Sequence, residues 1–422
     1  MTTTPRLVYI TTIAHSANLI LEEQLSFMRE RGFDVVVISA PGDELRVIRE
    51  REGVITVPVP MEREISPLKD LVSLVRLYIV LRRLRPAIVN AGTPKAGLLG
   101  MIAAWAAGIP VRIYFLFGLR METTRGLKRF VLGVAERCAS ACAHRVICVS
   151  ESLRRLYIKL GYTTEAKACV LQICPCFQRH GRTGKGSPNS IDADQLTQTR
   201  QLREQAQALR AHLGIPDRAP VVGFVGRLTR DKGVPELLDA FDQVLASFPE
   251  ARLLMLGRFE DGDPIPENYV KRLRSHPRVV MTGQVPDAAP YYRIMDVVGF
   301  PSYREGLAGP PLEAALVAEI PAVVFEATGV VDAVCDGVTG TIVPLGDVAR
   351  FARALERYLT NDLVRREHGQ AGRKYVLRHF SPEIVHEAIY EEYLRLLKAR
   401  SRALFQKLTD SPDRASRRAL RK

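Results

Sequence analysis

Nowhere does this 422-residue chain carry an apolar run long enough to cross a bilayer. Its longest, AGLLGMIAAWAAGIPV from Ala96 to Val111, falls short of the ~20 residues a spanning helix needs, and glycine and proline interrupt its end. A buried helix is the expectation there. The N-terminus MTTTPRLVYITT lacks the basic-then-apolar order of a secretory signal and reads as a first strand. Cysteine is scarce, with seven in all, an odd count, and no CxxC pair has a partner pair. That argues against a disulfide framework and against a structural zinc site, and leaves free thiols in a reducing cytosol as the expectation.

Acid is in deficit as well: Lys+Arg number 60 against 46 Asp+Glu, a formal charge of +14. Such a surplus suits acidic partners, whether nucleic acid, anionic membrane or phosphorylated substrate, without choosing among them. Two phosphate-binding signatures are missing. The spacing after Gly223 does not form G-x-G-x-x-G, and GRTGKGS from Gly181 fails as a Walker loop because Gly186 stands where Ser or Thr must follow the lysine. EDGD from Glu260 lies in a Gly/Pro-rich loop without further ligands and reads as solvated.

What is present is a long alternation of short β-branched runs with helical patterns, the mark of parallel α/β architecture. At this length two domains are the default. Strands are expected at LVYITT, DVVVISA, ITVPV, AIVNAG, VRIYFLFG, RVICVS and ACVLQIC, then at VVGFVG, RLLMLG, VVMTGQ, VVGFPS, AVVFEA and GTIVPL. ILEEQLSFMRERG has helical apolar spacing, with Gly32 as its C-terminal cap. The polar, Gly- and Ser-rich stretch after Gln178 divides the chain. Expected boundaries are a first Rossmann-like domain over 1–177, a connection over 178–212, a second such domain over 213–378, a long helix over 379–400 and a basic tail over 401–422.

Two sequences carry chemistry. GFVGRLTRDKGVPELLDAF runs from strand through a turn into a helix, so Arg227 and Lys232 bracket a site suited to an anion. PSYREGLAGPPLEAA places Glu305 just past a strand and Glu313 about one turn into the next helix, with Gly306 allowing close backbone approach and Pro310 and Pro311 suiting the first helical turn. One carboxylate can face a sugar and the other the ribose of a nucleotide.

Together with TPKAGLLG from Thr93 and HRVICVSES from His144, these motifs resemble the retaining, nucleotide-sugar-dependent glycosyltransferases of family four, in the branch that makes capsules and lipid-linked oligosaccharides. The resemblance covers nearly the whole chain. It implies a GT-B fold, with two Rossmann-like domains facing a cleft and the last helix crossing back to the first domain. It also implies transfer of a hexose or N-acetylhexosamine, with retention, to a polyprenyl-diphosphate-linked glycan, using no cofactor and no metal. Arg227 and Lys232 would bind the diphosphate of a UDP- or GDP-linked donor and stabilise charge on the leaving group, with Glu305 completing the catalytic set at the hexose. Glu313 would hold the ribose, the amides of Gly306 and Leu307 the phosphates and sugar, and Gln284–Val285 the base.

On the first domain, His15, Ser16, Thr93 and Lys95 follow strand ends and are assigned to the acceptor. Arg125, Lys128 and Arg129 beside Leu127, Phe130 and Val131 form a basic, apolar rim suited to an anionic bilayer. The expected location is the cytoplasm, peripheral on the inner face of the membrane, with no nucleic acid partner. Departures from the family pattern are Phe117, where many relatives have histidine, Leu307-Ala308-Gly309-Pro310-Pro311 between the glutamates, and Glu319 in place of a small glycine. They leave two other classes open: a catalytically weak scaffold in a glycan assembly complex, and a sugar-nucleotide epimerase of the same fold.

Overall fold

A computed structural model describes residues 4–62, 66–171, 204–260, 262–380 and 382–409. The Walker-like segment, Cys174 and Cys176 lie outside the described residues. The first sheet has the parallel strands β1 (Arg6–Ile10), β2 (Asp34–Ser39), β3 (Ile55–Pro58), β4 (Ile88–Gly92), β5 (Val111–Leu116), β6 (Arg145–Cys148) and β7 (Ala168–Val170). Its helices are α1 (Ala14–Ile20), α2 (Gln24–Glu30), α3 (Glu44–Glu52), α4 (Pro67–Leu84), α5 (Pro94–Ala106), α6 (Gly126–Cys142) and α7 (Glu151–Lys159). The second part opens with α8 (204–212). Its strands are β8 (Val221–Val225), β9 (Arg252–Leu256), β10 (Val279–Gly283), β11 (Val297–Phe300), β12 (Ala322–Phe325) and β13 (Gly340–Val343). Its helices are α9 (Val234–Ser247), α10 (Glu267–Ser275), α11 (Ala289–Tyr292), α12 (Gly309–Ala318), α13 (Val348–Thr360), α14 (Asp362–His379) and α15 (Pro382–Thr409).

The strand orders are β3-β2-β1-β4-β5-β6-β7 and β10-β9-β8-β11-β12-β13. Helices cover both faces of a doubly wound sheet, so its strands read as nearly unbroken Val, Ile and Leu; Val35–Ile38 and Leu253–Leu256 are all buried. In each sheet the winding direction reverses once, between β1 and β4 and between β8 and β11. Such a reversal opens a crevice at the carboxyl ends of the two strands, where ligands of this architecture bind. The segments after β1, β4, β8 and β11 carry the residues assigned above to the acceptor, the diphosphate, the hexose and the ribose, while Gln284–Val285 follow β10.

α15 returns to the first domain. The Tyr393 hydroxyl meets the Tyr9 hydroxyl at 3.2 Å and accepts from the Asn90 amide at 2.5 Å. Arg31 on the first domain pairs with Glu387 at 2.7 Å, and Arg145 with Glu392 at 2.9 Å.

Four local expectations differ from the structure. ILEEQLSFMRERG is not one helix: α1 and α2 are separated at Glu23, whose φ is 59°. The break is held from elsewhere, because the buried Glu52 carboxylate of α3 accepts the amides of Glu23 and Ser26 at 3.2 and 3.1 Å. Residues 204–212 form a helix that packs on the second domain through Ala206 and Leu209, with Arg210 bonded to the carbonyls of Ile294, Pro216 and Ala219. The last helix continues to Thr409, beyond the 400 expected. The Glu260 loop is not simply solvated, as described next. Glu319 does occupy a left-handed position, φ 53°, where glycine is unstrained and a side chain costs about 1–2 kcal/mol.

Candidate active site

Lys232 ends a short 3-10 turn (Arg230–Lys232), and Gly233 at φ 67° leads into α9. A Cβ at Gly233 would stand 2.0 Å from the Pro301 carbonyl, so glycine is what lets the β8 turn lie directly against the β11 turn. That approach delivers the Lys232 ammonium onto Glu305 Oε1. The same carboxylate oxygen accepts from Ser302 Oγ at 3.0 Å, and the Lys232 ammonium lies 5.9 Å from the centre of the Phe300 ring. Both side chains are largely buried.

Around this pair the turn is braced by acids. Asp231 is buried and accepts from Thr229 Oγ1 at 2.6 Å and from Arg304 Nη2 at 2.7 Å. Burial raises its pKa, but the Thr229 hydroxyl and the cations Lys232, Arg304 and Arg227 outweigh that and hold it below the ordinary aspartate range. The Asp231 amide donates to Asp263 at 2.7 Å, and Arg227 Nη1 bonds Glu260 at 2.9 Å. Glu260 and Asp263 therefore clamp the cationic turn. Arg227 stays partly exposed and within electrostatic reach of Glu305.

Glu313 sits on α12, where it accepts from the hydroxyl of the fully buried Tyr292 at 2.9 Å. Burial is the larger influence and pushes its carboxyl up to about 7, while the Tyr292 bond pulls the other way. α12 begins with Gly309, Pro310 and Pro311. The prolines remove two of the N–H groups a helix start normally offers an anion. The loop compensates: the Glu305 and Ala308 amides are bonded to Thr328 and Gly329 at 2.8 and 2.9 Å, whereas those of Gly306 and Leu307 have no partner among the described residues. Gln284 is exposed and Val285 packs on the core, both in the loop that leads from β10 to Tyr292.

In the first domain the four assigned residues divide. His15 is exposed at the start of α1, with Nδ1 3.5 Å from Glu44, and Ser16 follows it, half-buried. The Thr93 hydroxyl is taken up by Thr12, accepting its amide at 3.2 Å and sharing a hydrogen bond with its hydroxyl at 2.7 Å. The Lys95 ammonium is paired with Asp70 of α4 at 2.6 Å. Phe117 stacks on Phe115, ring centres 4.7 Å apart, so an apolar ring stands at that position.

The two domains meet at the Glu305 loop. Ser150 Oγ donates to the Gly306 carbonyl at 2.6 Å, and a Cβ on Gly306 would lie 1.9 Å from the Phe117 carbonyl. Asp332 of the second domain accepts the amides of Glu151 and Ser152 at the start of α7, at 3.0 and 3.1 Å. Arg304 Nε reaches Thr123 Oγ1 of the first domain at 3.0 Å.

The family described as "Glycosyl transferases group 1" matches residues 205–375, and the "Glycosyl transferase 4-like domain" matches 18–174. The capsular polysaccharide biosynthesis glycosyltransferase CapM of Staphylococcus aureus is 34% identical over 393 residues, 93% of this chain and 98% of that protein. This chain is a group 1 glycosyltransferase. A further relative of the enzyme is the UDP-Gal:alpha-D-GlcNAc-diphosphoundecaprenol alpha-1,3-galactosyltransferase of Escherichia coli, 27% identical, spanning 72% of this chain and 73% of that one. Among solved structures, Anabaena Alr3699/HepE in complex with UDP and glucose aligns with TM-score 0.70 and 18% identity, over 92% of this chain and 99% of that one. The two-sheet architecture of the glycosyltransferase is thus the GT-B fold.

Sequence reasoning singled out the cations and both glutamates of this glycosyltransferase. It missed Asp231, Tyr292, Ser302, Arg304 and Asp332. Arg304 and Asp231 stand beside residues that were named, and their charge was the available signal; Tyr292 and Asp332 left none.

Proposed function

We propose that this glycosyltransferase moves a hexose or N-acetylhexosamine from a uridine diphosphate sugar, with retention, to a polyprenyl-diphosphate-linked glycan in surface polysaccharide assembly. The observation that carries the reading is the Lys232–Glu305 contact at the reversal point of the second sheet, beside the unengaged amides of Gly306 and Leu307. The similarity to the Escherichia coli galactosyltransferase supports the uridine nucleotide and the lipid-linked acceptor, and that to the Staphylococcus aureus protein supports the polysaccharide setting.

Arg227, Lys232 and the two amides meet the negative charge that grows on the departing diphosphate, in place of a divalent cation. Glu305 holds the sugar, Glu313 the ribose and the Gln284–Val285 segment the base. The acceptor enters past His15 and Ser16. In this reading the α6 start docks on the cytoplasmic face of an anionic membrane, through Leu127 and Phe130, 78% and 68% exposed, flanked by Arg125, Lys128 and Arg129.

The test is a melting-temperature screen with UDP, GDP, ADP and TDP, followed by transfer assays with the matching sugars in EDTA. UDP alone should raise the melting temperature, and transfer should persist without metal. A GDP response moves the donor to guanosine. No response to any of them at millimolar concentration overturns the transferase reading of the site in favour of a scaffold. Isomerised sugar nucleotide released without acceptor identifies an epimerase.

A further inference from the structure

A second concave site lies in the first domain, outside the residues used so far. It is a cavity of about 440 Å³ at the carboxyl edge of the first sheet, within the ~300–1,000 Å³ of small-ligand sites. Pro41 follows β2, Pro60 and Met61 follow β3, and Leu68 and Val72 come from α4; these make an apolar lining, to which α4 also contributes Arg76. Arg76 is exposed and has no partner among the described residues. Glu62 and Lys69, also in the lining, pair with each other. The cavity adjoins the acceptor-side cluster, because Asp70 of the same helix holds Lys95, and Lys95 lies within electrostatic reach of Glu62.

The outer face of α4 continues the apolar surface. Leu68 is 83% exposed, and Leu71, Val72, Val75 and Ile79 follow it along the helix, all exposed. A helix on the surface of a soluble domain carries charge there instead. Charge is present only as cations beside the stripe, at Lys69, Arg76, Arg82 and Arg83, while Asp70, the one acid of α4, is taken up by Lys95.

We infer that this cavity binds the isoprenoid chain of the acceptor. The units nearest the diphosphate lie against Pro41, Met61, Leu68 and Val72, the diphosphate faces Arg76, and the remaining chain leaves along α4. The inference rests on the lipid-linked acceptor proposed above and adds the site that recognises its lipid. Two features select this occupant. A flat bilayer does not fill a concavity, and a neutral apolar peptide leaves Arg76 without a counter-charge, whereas an apolar chain with an anionic head satisfies both.

The experiment is calorimetric titration of the whole chain, with UDP present to occupy the donor site, using farnesyl diphosphate and inorganic pyrophosphate as probes. Farnesyl diphosphate should bind at least ~tenfold more tightly than pyrophosphate, the gain from burying its apolar carbons. Leu68→Asp and Val72→Asp change exposed side chains, so both variants should fold and keep the UDP-induced rise in melting temperature. Each should lose the tenfold gain, whereas Leu363→Asp, at an equally exposed leucine on α14, should keep it. Equal binding of the two probes by the unaltered protein overturns the inference. So does a gain that survives in Val72→Asp, including the case where that variant loses only its binding to anionic vesicles. Failure of the underlying reading looks different: the unaltered enzyme would then glycosylate a free glycan as well as its polyprenyl-diphosphate-linked form.

Discussion

At Glu313 two influences act on one proton. Burial lifts its carboxyl to about 7 and the Tyr292 hydroxyl opposes that lift. In its proposed role at the ribose Glu313 accepts hydroxyls best when ionised, so below about pH 7 nucleotide binding works against its protonation. By linkage, affinity for UDP should rise about tenfold from pH 6 to pH 8. The nucleotide's own phosphate also titrates near pH ~6, and Glu313→Gln separates the two: its calorimetric Kd should retain only the phosphate's share of the slope. Parallel slopes for the two proteins would remove Glu313 from the ribose. Lys232 and Glu305 pose the opposite case, since each satisfies the other. Lys232→Ala leaves a largely buried acid without its cation and should lower stability by about 3–5 kcal/mol. Glu305→Gln should lower kcat by about 10²–10³-fold. The double variant should regain part of the lost stability in denaturant titration while remaining inactive, which separates the structural from the chemical role of the pair. These two residues were legible because a lysine in a strand-to-helix turn and an acid before a Gly-Pro bend are local patterns. Arg304 offered only its charge beside Glu305, with no local pattern to say that it bonds Asp231 and Thr123.

Elements were read from the sequence wherever burial alone decides them. Strands covered on both faces must be apolar throughout, so their positions show in a single pass, and Pro310–Pro311 announce the start of α12. The division between α1 and α2 is different. Its local apolar spacing is helical, and a carboxylate from α3 overrides it by accepting the two amides that the break exposes. Glu52→Ala should therefore leave two half-buried donors without their acceptor and lower stability by about 1–3 kcal/mol, with a smaller loss for Glu52→Gln, which retains an acceptor oxygen. Urea midpoints of the two variants check the order. Equal midpoints would mean that the break is set by α1 and α2 themselves. The same reasoning explains Glu319, whose left-handed backbone persists although the residue type does not favour it: the neighbouring Gly369 of α14, where a Cβ would lie 1.7 Å from the Glu319 carbonyl, shows that the close approach of two helices fixes the turn.

Across the whole molecule the Glu305 loop is held by both domains. Glu305 and Gly306 come from the second, but the Gly306 carbonyl is held by Ser150 of the first, and Asp332 reaches back to cap α7. A carboxylate at a helix N-terminus contributes about 1–2 kcal/mol through its hydrogen bonds and the helix dipole. Here that contribution exists only while the domains are together, so Asp332 acts on the balance between closed and open forms. Arg227, Lys232, Glu305 and Glu313 all lie in the second domain, so in the proposed donor site they do not need closure to meet the nucleotide. Asp332→Ala should consequently leave the Kd for UDP within about twofold of its original value and reduce kcat by about tenfold, the effect of ~1.4 kcal/mol on closure. Small-angle scattering of the nucleotide-bound variant should show a larger radius of gyration than that of the unaltered enzyme. A loss in nucleotide affinity with kcat unchanged would instead make Asp332 a prop for the Glu305 loop alone. The tether formed by α15 makes the distinction measurable, because Tyr393 and Glu392 remain anchored to the first domain when the Asp332 contact is removed, and the two halves then separate as a hinge and not as free bodies.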